Sequence, residues 1–235
     1  MIPPTSIDGT DITGATIDGT DVQEITVDGD VVFSSGPATI VNGFETPSEW
    51  SVTNDVGTGS GIITSNEARS GSKTLSANGI GGQPDGNNLY ATFDSTTFTS
   101  AEITHYYKPG PSNFWNTAGI FREQSPGGDA IAVYFDISFG SGTFEIAEKT
   151  GTSFSKLDDV ACSETITSGA YNEVVIGLTG DGTNVSGYGI VNGTTFTTNT
   201  VTTSITSKGT FGIGQITPSN TGASNYWDDI TISFD

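Results

Sequence analysis

The chain has 235 residues, enough for a short leader and one ordinary domain. Seven Lys and Arg residues oppose 27 Asp and Glu residues, and the resulting net charge of −20 repels nucleic acid and anionic membranes. A single cysteine, Cys162, and a single histidine, His105, exclude an intrachain disulfide, a cysteine zinc cluster and a multi-histidine metal site. The acidity fits either a surface adapted to high salt, which screens the self-repulsion, or an ordinary acidic β domain of the secreted type.

A ten-residue phrase is repeated at the start of the chain. Its copies read IDGTDITGAT (7–16), IDGTDVQEIT (17–26) and, shortened, VDGDVVF (27–33). Asp-Gly between residues such as Ile, Val and Thr favours a tight hairpin, because the turn needs a positive φ that glycine adopts freely. The repeat therefore predicts three short hairpins. Their turns are expected at Asp8-Gly9, Asp18-Gly19 and Asp28-Gly29.

The leader is poor in apolar side chains. Burying one of them contributes about 1.5–3 kcal/mol, whereas ordering the backbone costs about 1–2 kcal/mol for every residue of the segment. We therefore expect the leader to dock on copies of itself or on a neighbouring protein; the alternative is a disordered or strand-swapped segment. The side chains expected to anchor and oligomerise the chain are Ile7, Ile12, Ile17, Val22, Ile25, Val27, Val31 and Phe33.

Residues 34–38, SSGPA, have the composition of a linker, which divides the chain into a leader at 1–38 and a domain at 39–235. Beyond the linker, short alternating runs recur between Gly, Asn and Asp turns. In the run AIAVYFDISF, every second residue from Ile131 to Ile137 is expected to face the core. Ten or more such strands predict an all-β fold, an antiparallel sandwich or jelly roll, whose core is filled largely by aromatic rings.

The stretch HYYKPGPSNFWNTAG (105–119) combines aromatic and amide side chains with two prolines. Pro and Gly favour an exposed loop, where aromatic faces can stack on sugars and amides can bond sugar hydroxyls. The predicted glycan contacts are Tyr106, Tyr107, Asn113, Phe114, Trp115 and Asn116. The alternative is that Phe114 and Trp115 close one end of the sandwich core. Trp50 and Trp227 are expected in that core.

Acidic residues at catalytic spacing are missing from the sequence. Sandwich glucanases carry Glu-x-Asp-x-(x)-Glu along one strand, and this chain has no such match. Glu145 and Glu148 are three residues apart, so their side chains would point to opposite faces of a strand. With one histidine and no nucleophile-elbow context, we predict a protein that is not an enzyme and has no catalytic residue.

Two segments of the domain resemble known jelly rolls. VNGFETPSEWSVTND…EARSGSKTLSANG (41–79) is similar to the opening of concanavalin A-like and carbohydrate-binding-module domains. SNYWDDITISFD (224–235) resembles their closing strand, and the middle of the chain, with AGIFRE and GTFGIGQ, looks like the laminin-G-like variant. The resemblance implies the fold more strongly than an activity, because this architecture hosts unrelated functions.

The resemblance also implies a structural calcium ion. In these domains an opening Glu and a closing Asp hold calcium together with backbone carbonyls. Carried over by position, the ligands would be Glu45 with Asp228 or Asp229, and carbonyls in the segment 69–73. Calcium takes 6–8 oxygen ligands, which such a set can supply with water. The alternative is that these acids are turn and edge residues facing solvent.

The leader carries a second resemblance. IDGTDVQEITVDGDVVF (17–33) is similar to N-terminal segments of structural proteins in tailed viruses, notably viruses of halophilic archaea. This implies a virion structural protein, such as a tail fibre, turret or capsid decoration, whose leader binds other virion proteins and whose sandwich is displayed toward host-surface glycans.

The implied assembly is a homo-oligomer, a trimer or pentamer, at the outer surface of a virus particle outside the cell. The start of the chain lacks the basic and apolar regions of a signal peptide, so we expect that location to be reached without a cleaved leader. The alternative is a cellular carbohydrate-binding or surface-layer module with no viral role. Neither nucleic acid nor membrane insertion is expected.

Overall fold

The chain divides into two compact units, Met1–Ala38 and Thr39–Asp235. The computed structural model describes residues 6–234 apart from 8–9, 12–15, 18–19, 22–23, 28–29, 35–37, 55–60, 66, 78–86, 111–113, 139, 181 and 218–224.

In its described residues, the leader forms three antiparallel strand pairs. They are β1 (Ser6–Ile7) with β2 (Thr10–Asp11), β3 (Thr16–Ile17) with β4 (Thr20–Asp21), and β5 (Glu24–Val27) with β6 (Asp30–Ser34). Each pair flanks one Asp-Gly dipeptide, so the predicted hairpins are confirmed. Of the predicted anchoring residues, Ile12 and Val22 lie outside the described residues, and the other six lie on these strands with side chains outside the described part of the chain. Their role in assembly stays a prediction.

Strands make up almost all of the regular secondary structure in the described residues of the second unit. They are β7 (Ala38–Asn42), β8 (Trp50–Asn54), β9 (Gly61–Thr64), β10 (Thr74–Ala77), β11 (Asn87–Phe98), β12 (Ala101–Lys108), β13 (Phe114–Glu123), β14 (Ala130–Ser138), β15 (Ser141–Thr150), β16 (Ser153–Cys162), β17 (Asn172–Thr179), β18 (Asn184–Val191), β19 (Thr194–Thr197), β20 (Val201–Thr202), β21 (Gly209–Thr217) and β22 (Asn225–Phe234). A short 3-10 turn, Pro47–Glu49, precedes β8. No helix in the described part of the chain is long and apolar enough to cross a membrane.

These strands form two sheets that pack face to face. The nine-stranded sheet has the order β19-β18-β17-β12-β22-β10-β9, with β7 beside β22 and β20 beside β18. The seven-stranded sheet has the order β16-β15-β14-β13-β21-β11-β8. The predicted all-β antiparallel sandwich is confirmed.

The core between the sheets follows the predicted alternation. Ile131, Phe135 and the residues that alternate with them on β14 are buried against the opposite sheet. Trp50 and Trp227 are core residues, as expected. The ring of Trp50 lies 5.2 Å from that of Phe93, so a few large rings fill much of the space between the layers.

The single histidine belongs to this core and is fully buried. The Nε2 atom of His105 lies 2.8 Å from the hydroxyl oxygen of Thr117, which also accepts a hydrogen bond from the indole N–H of Trp227 at 2.9 Å. Burial lowers the pKa of His105 to about 3, because the charged imidazolium would lose its hydration. His105 is therefore a neutral structural residue at neutral pH.

Arg122 is a buried cation at one end of the sandwich. Its φ of 55° places a bulge in β13, and its guanidinium donates to the carbonyl oxygens of Thr99 and Gly182, each at 2.7 Å, Gly180 at 2.8 Å and Ile205 at 2.9 Å. Because backbone carbonyls are buried at little cost only when they are hydrogen-bonded, this side chain holds three chain segments together.

The outer face of the seven-stranded sheet carries a second apolar cluster. Its members are Tyr90, Ala118, Ile120, Ala130, Ala132, Tyr134, Ala147 and Ile216, with Phe154 packed at the side. Tyr90 and Lys149 lie four strands apart in the sheet, which would separate their backbones by roughly 19 Å if it were flat. The Nζ atom of Lys149 nevertheless lies 6.0 Å from the Tyr90 ring centroid, so the sheet curls and brings these two side chains together on its outer face.

Polar groups within this outer cluster are satisfied internally. The buried carboxylate of Glu123 accepts hydrogen bonds from Tyr90 Oη at 2.8 Å, Thr92 Oγ1 at 2.5 Å and the backbone N–H of Gly127 at 2.8 Å. Burial raises the pKa of Glu123, although these bonds oppose the shift. Lys149 donates to the carbonyl of Gly127 at 2.6 Å. This end of the face is thus a filled interior rather than an open groove.

Candidate functional site

The predicted aromatic loop is mostly two strands. β12 and β13 take up most of its length, Asn113 lies outside the described residues, and Phe114 begins β13 with its side chain outside the described part of the chain. Tyr107, Trp115 and Asn116 are 0%, 5% and 2% exposed. The prediction that these three contact a glycan is wrong, because their side chains lie in the interior.

Each of the three has a structural role. Tyr107 packs on Trp227 with ring centroids 5.2 Å apart, and burial raises its pKa. Trp115 packs on Phe135 at 5.4 Å, as the alternative interpretation of this stretch expected. The side-chain amide of Asn116 donates to the carbonyl oxygen of Ile216 at 2.7 Å and accepts from the N–H of Ile216 at 2.8 Å. These two bonds replace a backbone pair between neighbouring strands.

Tyr106 lies on the opposite face of β12, at the outer surface of the nine-stranded sheet. Its hydroxyl donates to Glu173 Oε2 at 2.6 Å, which raises the pKa of Tyr106. The guanidinium carbon of Arg69 lies 3.5 Å from the ring centroid, and Arg69 also forms an ion pair with Asp229. A half-buried aromatic ring, a guanidinium and two carboxylates therefore meet at one place on the surface.

More tyrosines extend this surface. Lys108, two residues after Tyr106, pairs with Glu67 and lies 5.9 Å from the ring centroid of Tyr171 and 5.7 Å from that of Tyr226. Burial raises the pKa of Tyr171 to about 12. We call the set of Tyr106, Tyr171, Tyr226, Arg69 and Lys108 the tyrosine surface.

The sequence contained part of the signal for the tyrosine surface. In AEITHYYK the outward positions of a strand are Glu102, Thr104, Tyr106 and Lys108, and the structure places all four at intermediate exposure. Arg69 and Tyr171 could not be found this way, because they come from distant segments that only the fold brings to β12.

The three acids predicted to hold calcium do converge on the segment 69–73. Glu45 accepts from the backbone N–H groups of Ser72 and Lys73, both at 2.8 Å, and these bonds lower its pKa. Asp228 accepts from the N–H of Arg69 at 2.6 Å, and burial raises its pKa. The acids contact the segment 69–73, as the resemblance implies, but these contacts are made by its N–H groups, whereas the prediction named its carbonyls.

A bulge explains why both aspartates reach this segment. Consecutive strand residues normally point to opposite faces. Asp229 has a φ of 49°, and the register of β22 against β12 shifts between Thr104 and Tyr106. The side chain of Asp229 consequently accepts from Arg69 and from the hydroxyl of Ser70, beside the bonds made by Asp228.

In this structure the three carboxylates face hydrogen-bond donors. The groups turned toward these carboxylates are N–H groups, a hydroxyl and a guanidinium, whereas calcium needs oxygen lone pairs. Among the described residues, no three or more His, Cys, Asp or Glu side chains lie together where a metal could be held. Hydrogen bonds and Arg69 occupy Glu45, Asp228 and Asp229 in this structure, and a calcium ion at these residues stays a prediction.

The acids considered for catalysis point apart. Glu145 accepts from Tyr134 at 2.7 Å on the outer face of the seven-stranded sheet. Glu148 accepts from the N–H of Ser204 and the hydroxyl of Thr203, both at 3.1 Å, on the other face. The two carboxylates cannot act on one bond.

Comparison with known proteins shows the fold. No protein-family model matches the chain, and no curated protein matches its sequence. Among solved structures, a Bacillus subtilis protein of unknown function with a galectin-like fold is 15% identical, over 83% of this chain and 94% of that one, with a TM-score of 0.52. The exoplasmic/lumenal domain of VIP36, in a form bound to Ca²⁺ and Man3GlcNAc, is 10% identical over 83% of this chain and 87% of that one, with the same TM-score.

The domain is a lectin-like jelly roll. This agrees with the concanavalin A-like resemblance of residues 41–79 and 224–235. The resemblance of the leader to virus structural proteins finds no support in these comparisons.

Proposed function

We propose that residues 39–235 form a non-catalytic carbohydrate-binding domain that contacts its ligand through the tyrosine surface. The observation that carries the proposal is the grouping around Tyr106, whose ring contacts the Arg69 guanidinium and whose hydroxyl donates to the Glu173 carboxylate. Sugars present apolar C–H faces and hydroxyls that both donate and accept, so they need an aromatic ring beside fixed donors and acceptors.

The lectin-like fold supports this proposal. The VIP36 domain, which has a similar fold, has been solved in forms bound to Man3GlcNAc and to Man. The separation of Glu145 from Glu148 supports a binding role without catalysis.

Glycan binding is tested by affinity electrophoresis and a glycan array on the full chain. We expect the wild type to bind, Tyr106→Ala to weaken binding about tenfold or more, and Tyr106→Phe, which keeps the ring, to weaken it less. Lys156→Ala removes an exposed ion pair on the other sheet and is the matched control, with binding unchanged. A silent array with a folded wild type would overturn the proposal.

We further propose that the leader anchors the chain in a virion as a homo-oligomer, a trimer or pentamer, and displays the domain outside the host cell as a tail fibre, turret or capsid decoration. Three short hairpins with few apolar residues support docking on other chains, since small segments rarely fold alone. The acidic composition agrees with display in saline surroundings.

Light scattering separates this role from that of a cellular carbohydrate-binding or surface-layer module. The full chain should form an oligomer, and the unit 39–235, which has its own core, should be a monomer. The same oligomeric state for both would refute anchoring by the leader and favour the cellular alternative, whatever the glycan array shows.

A further inference from the structure

A further tyrosine, outside the tyrosine surface, spans a whole strand on the outer face of the nine-stranded sheet. Tyr188 on β18 lies opposite Gly177 on β17, and Gly177 lies opposite Glu102 on β12. The hydroxyl of Tyr188 nevertheless donates to Glu102 Oε2 at 2.6 Å. The side chain therefore crosses β17 to reach a carboxylate two strands away.

The ring crosses β17 by lying on the backbone of Gly177. A methyl group at Gly177 would come within 3.0 Å of ring atoms Cε1 and Cζ and of the hydroxyl oxygen, closer than real side chains approach. Since a strand residue projects its Cβ away from the sheet, these atoms must sit directly above the glycine. Tyr188 is consequently pressed onto the sheet surface, and Glu102 fixes its far end.

Hydroxyl-bearing residues surround this ring. Thr197 lies opposite Tyr188 on β19, and Ser233 lies opposite Glu102 on β22. At one side, the hydroxyls of Thr179 and Ser186 bond to each other at 2.9 Å and are exposed. The residue is half-buried, so a fixed aromatic surface faces solvent among small polar side chains.

We infer that Tyr188 and Glu102 form a subsite for a neutral sugar, and this inference rests on the carbohydrate-binding function proposed above. The C–H face of a sugar would stack on the immobilised ring, which loses little entropy on binding because Glu102 already holds it. The carboxylate is an acceptor only, so it suits a donating sugar hydroxyl. Glu102 and the net charge of −20 disfavour uronic or sulfated sugars.

The position of Glu102 relates this subsite to the tyrosine surface. Glu102 and Tyr106 lie on the same face of β12, four residues and thus about 13 Å apart. Two tyrosine–glutamate pairs, Tyr188 with Glu102 and Tyr106 with Glu173, follow one line along the sheet. One oligosaccharide can contact both, so longer neutral glycans should bind more tightly than their monosaccharides.

The test is binding of the full chain to soluble mannan, a soluble β-glucan and polygalacturonate by affinity electrophoresis. We expect a neutral polymer to bind, polygalacturonate to be rejected, and Tyr188→Ala to weaken neutral binding about three- to tenfold. Lys156→Ala, an exposed position on the seven-stranded sheet, is the matched control and should change binding less than twofold.

Two further variants address the geometry. Gly177→Ala should weaken binding like Tyr188→Ala, because the ring must lift, with circular dichroism confirming that the fold is kept. Glu102→Gln retains an acceptor for Tyr188 but removes the charge, so neutral binding should persist and the rejection of polygalacturonate should diminish.

The outcomes separate the inference from the function on which it rests. Neutral binding that is lost in Tyr106→Ala but unchanged in both Tyr188→Ala and Gly177→Ala would overturn the subsite and leave the proposed function standing. Preference of the wild type for polygalacturonate would overturn the neutral-sugar assignment. No binding to any glycan would remove both proposals.

Discussion

The strands of both sheets alternate between inward and outward side chains, but the two outer faces differ: one is buried and the other is a surface. On the seven-stranded sheet, which curls, the outward side chain of Tyr90 is buried, and Glu123 and Lys149 find their hydrogen-bond partners within the protein. On the nine-stranded sheet, Tyr106 and Tyr188 bond to glutamates at half-exposed positions.

The difference shows what alternation decides and what it does not. Alternation determines which side chains point away from the main core. Whether the other face is a surface or a second interior depends on sheet curvature and on the size of the outward residues, since alanines at 118, 132 and 147 allow the seven-stranded sheet to curl.

Removing one glutamate from each face tests this comparison most strongly. Glu123→Ala leaves the Tyr90 and Thr92 hydroxyls and the Gly127 N–H without their acceptor in a buried site, so the free energy of unfolding should fall by about 3 kcal/mol. Glu102→Ala should cost less than about 1 kcal/mol, because water can replace it at Tyr188. Urea unfolding measures the free energy of unfolding of both variants. Equal decreases would mean that water reaches the two faces equally.

A pH titration tests how dry the interior between the faces is. With the folded pKa of His105 near 3 and an unfolded value near 6.5, the unfolded chain binds the proton first, so stability present above pH 6.5 is lost as the pH falls. The loss should reach about 2–3 kcal/mol at pH 4.5.

The matched control for this titration is His105→Gln, since the chain has one histidine. Burial also raises the pKa of Glu123, Asp136 and Asp228, which favours the folded state as these acids protonate. Those acids are common to both proteins, so the difference between the two urea-midpoint curves isolates the histidine. Parallel curves between pH 6.5 and 4.5 would contradict a dry site.

Introducing a larger side chain on each face should give a smaller difference in stability between the two faces. Ala132→Leu adds volume to the filled face and should destabilise the protein by about 1–3 kcal/mol. Thr104→Leu makes a comparable change at an outward position of β12, where the expected change is within about 0.5 kcal/mol. A tolerated leucine at 132 would show that the filled face has spare room.

The smallest expected effect concerns calcium. Because N–H groups and Arg69 already satisfy Glu45, Asp228 and Asp229, a chelator or added calcium should shift the melting temperature by less than about 1 °C. Arg69→Ala is the informative variant, since it removes the resident cation. A rise of several degrees with calcium in the wild type would support the predicted calcium site.

Local patterns anticipated the fold well. The Asp-Gly dipeptides marked the leader hairpins, and the period-two pattern at 131–137 identified the core side of β14. These features depend on neighbours in sequence, so the sequence alone carries them.

The site was harder to predict, because its contacts join distant segments. Pro109 and Gly110 suggested a long loop, yet the strands resume at Phe114 and take Trp115 and Asn116 inside. The convergence of Glu45 with the two closing aspartates was foreseen, but a sequence does not show whether N–H groups or carbonyls of the segment 69–73 point toward them.

The position of β22 in the nine-stranded sheet has a consequence for how the protein folds during its synthesis. β22 lies between β12 and β10, and the carbonyl of Trp227 accepts a bond from Thr74, 153 positions earlier. Until residues 225–234 leave the ribosome, β12 and β10 have no strand between them, so that layer cannot assemble during synthesis. Completion of the sandwich should therefore be a late and slow event, and a nascent chain arrested before Asn225 should be readily digested by protease.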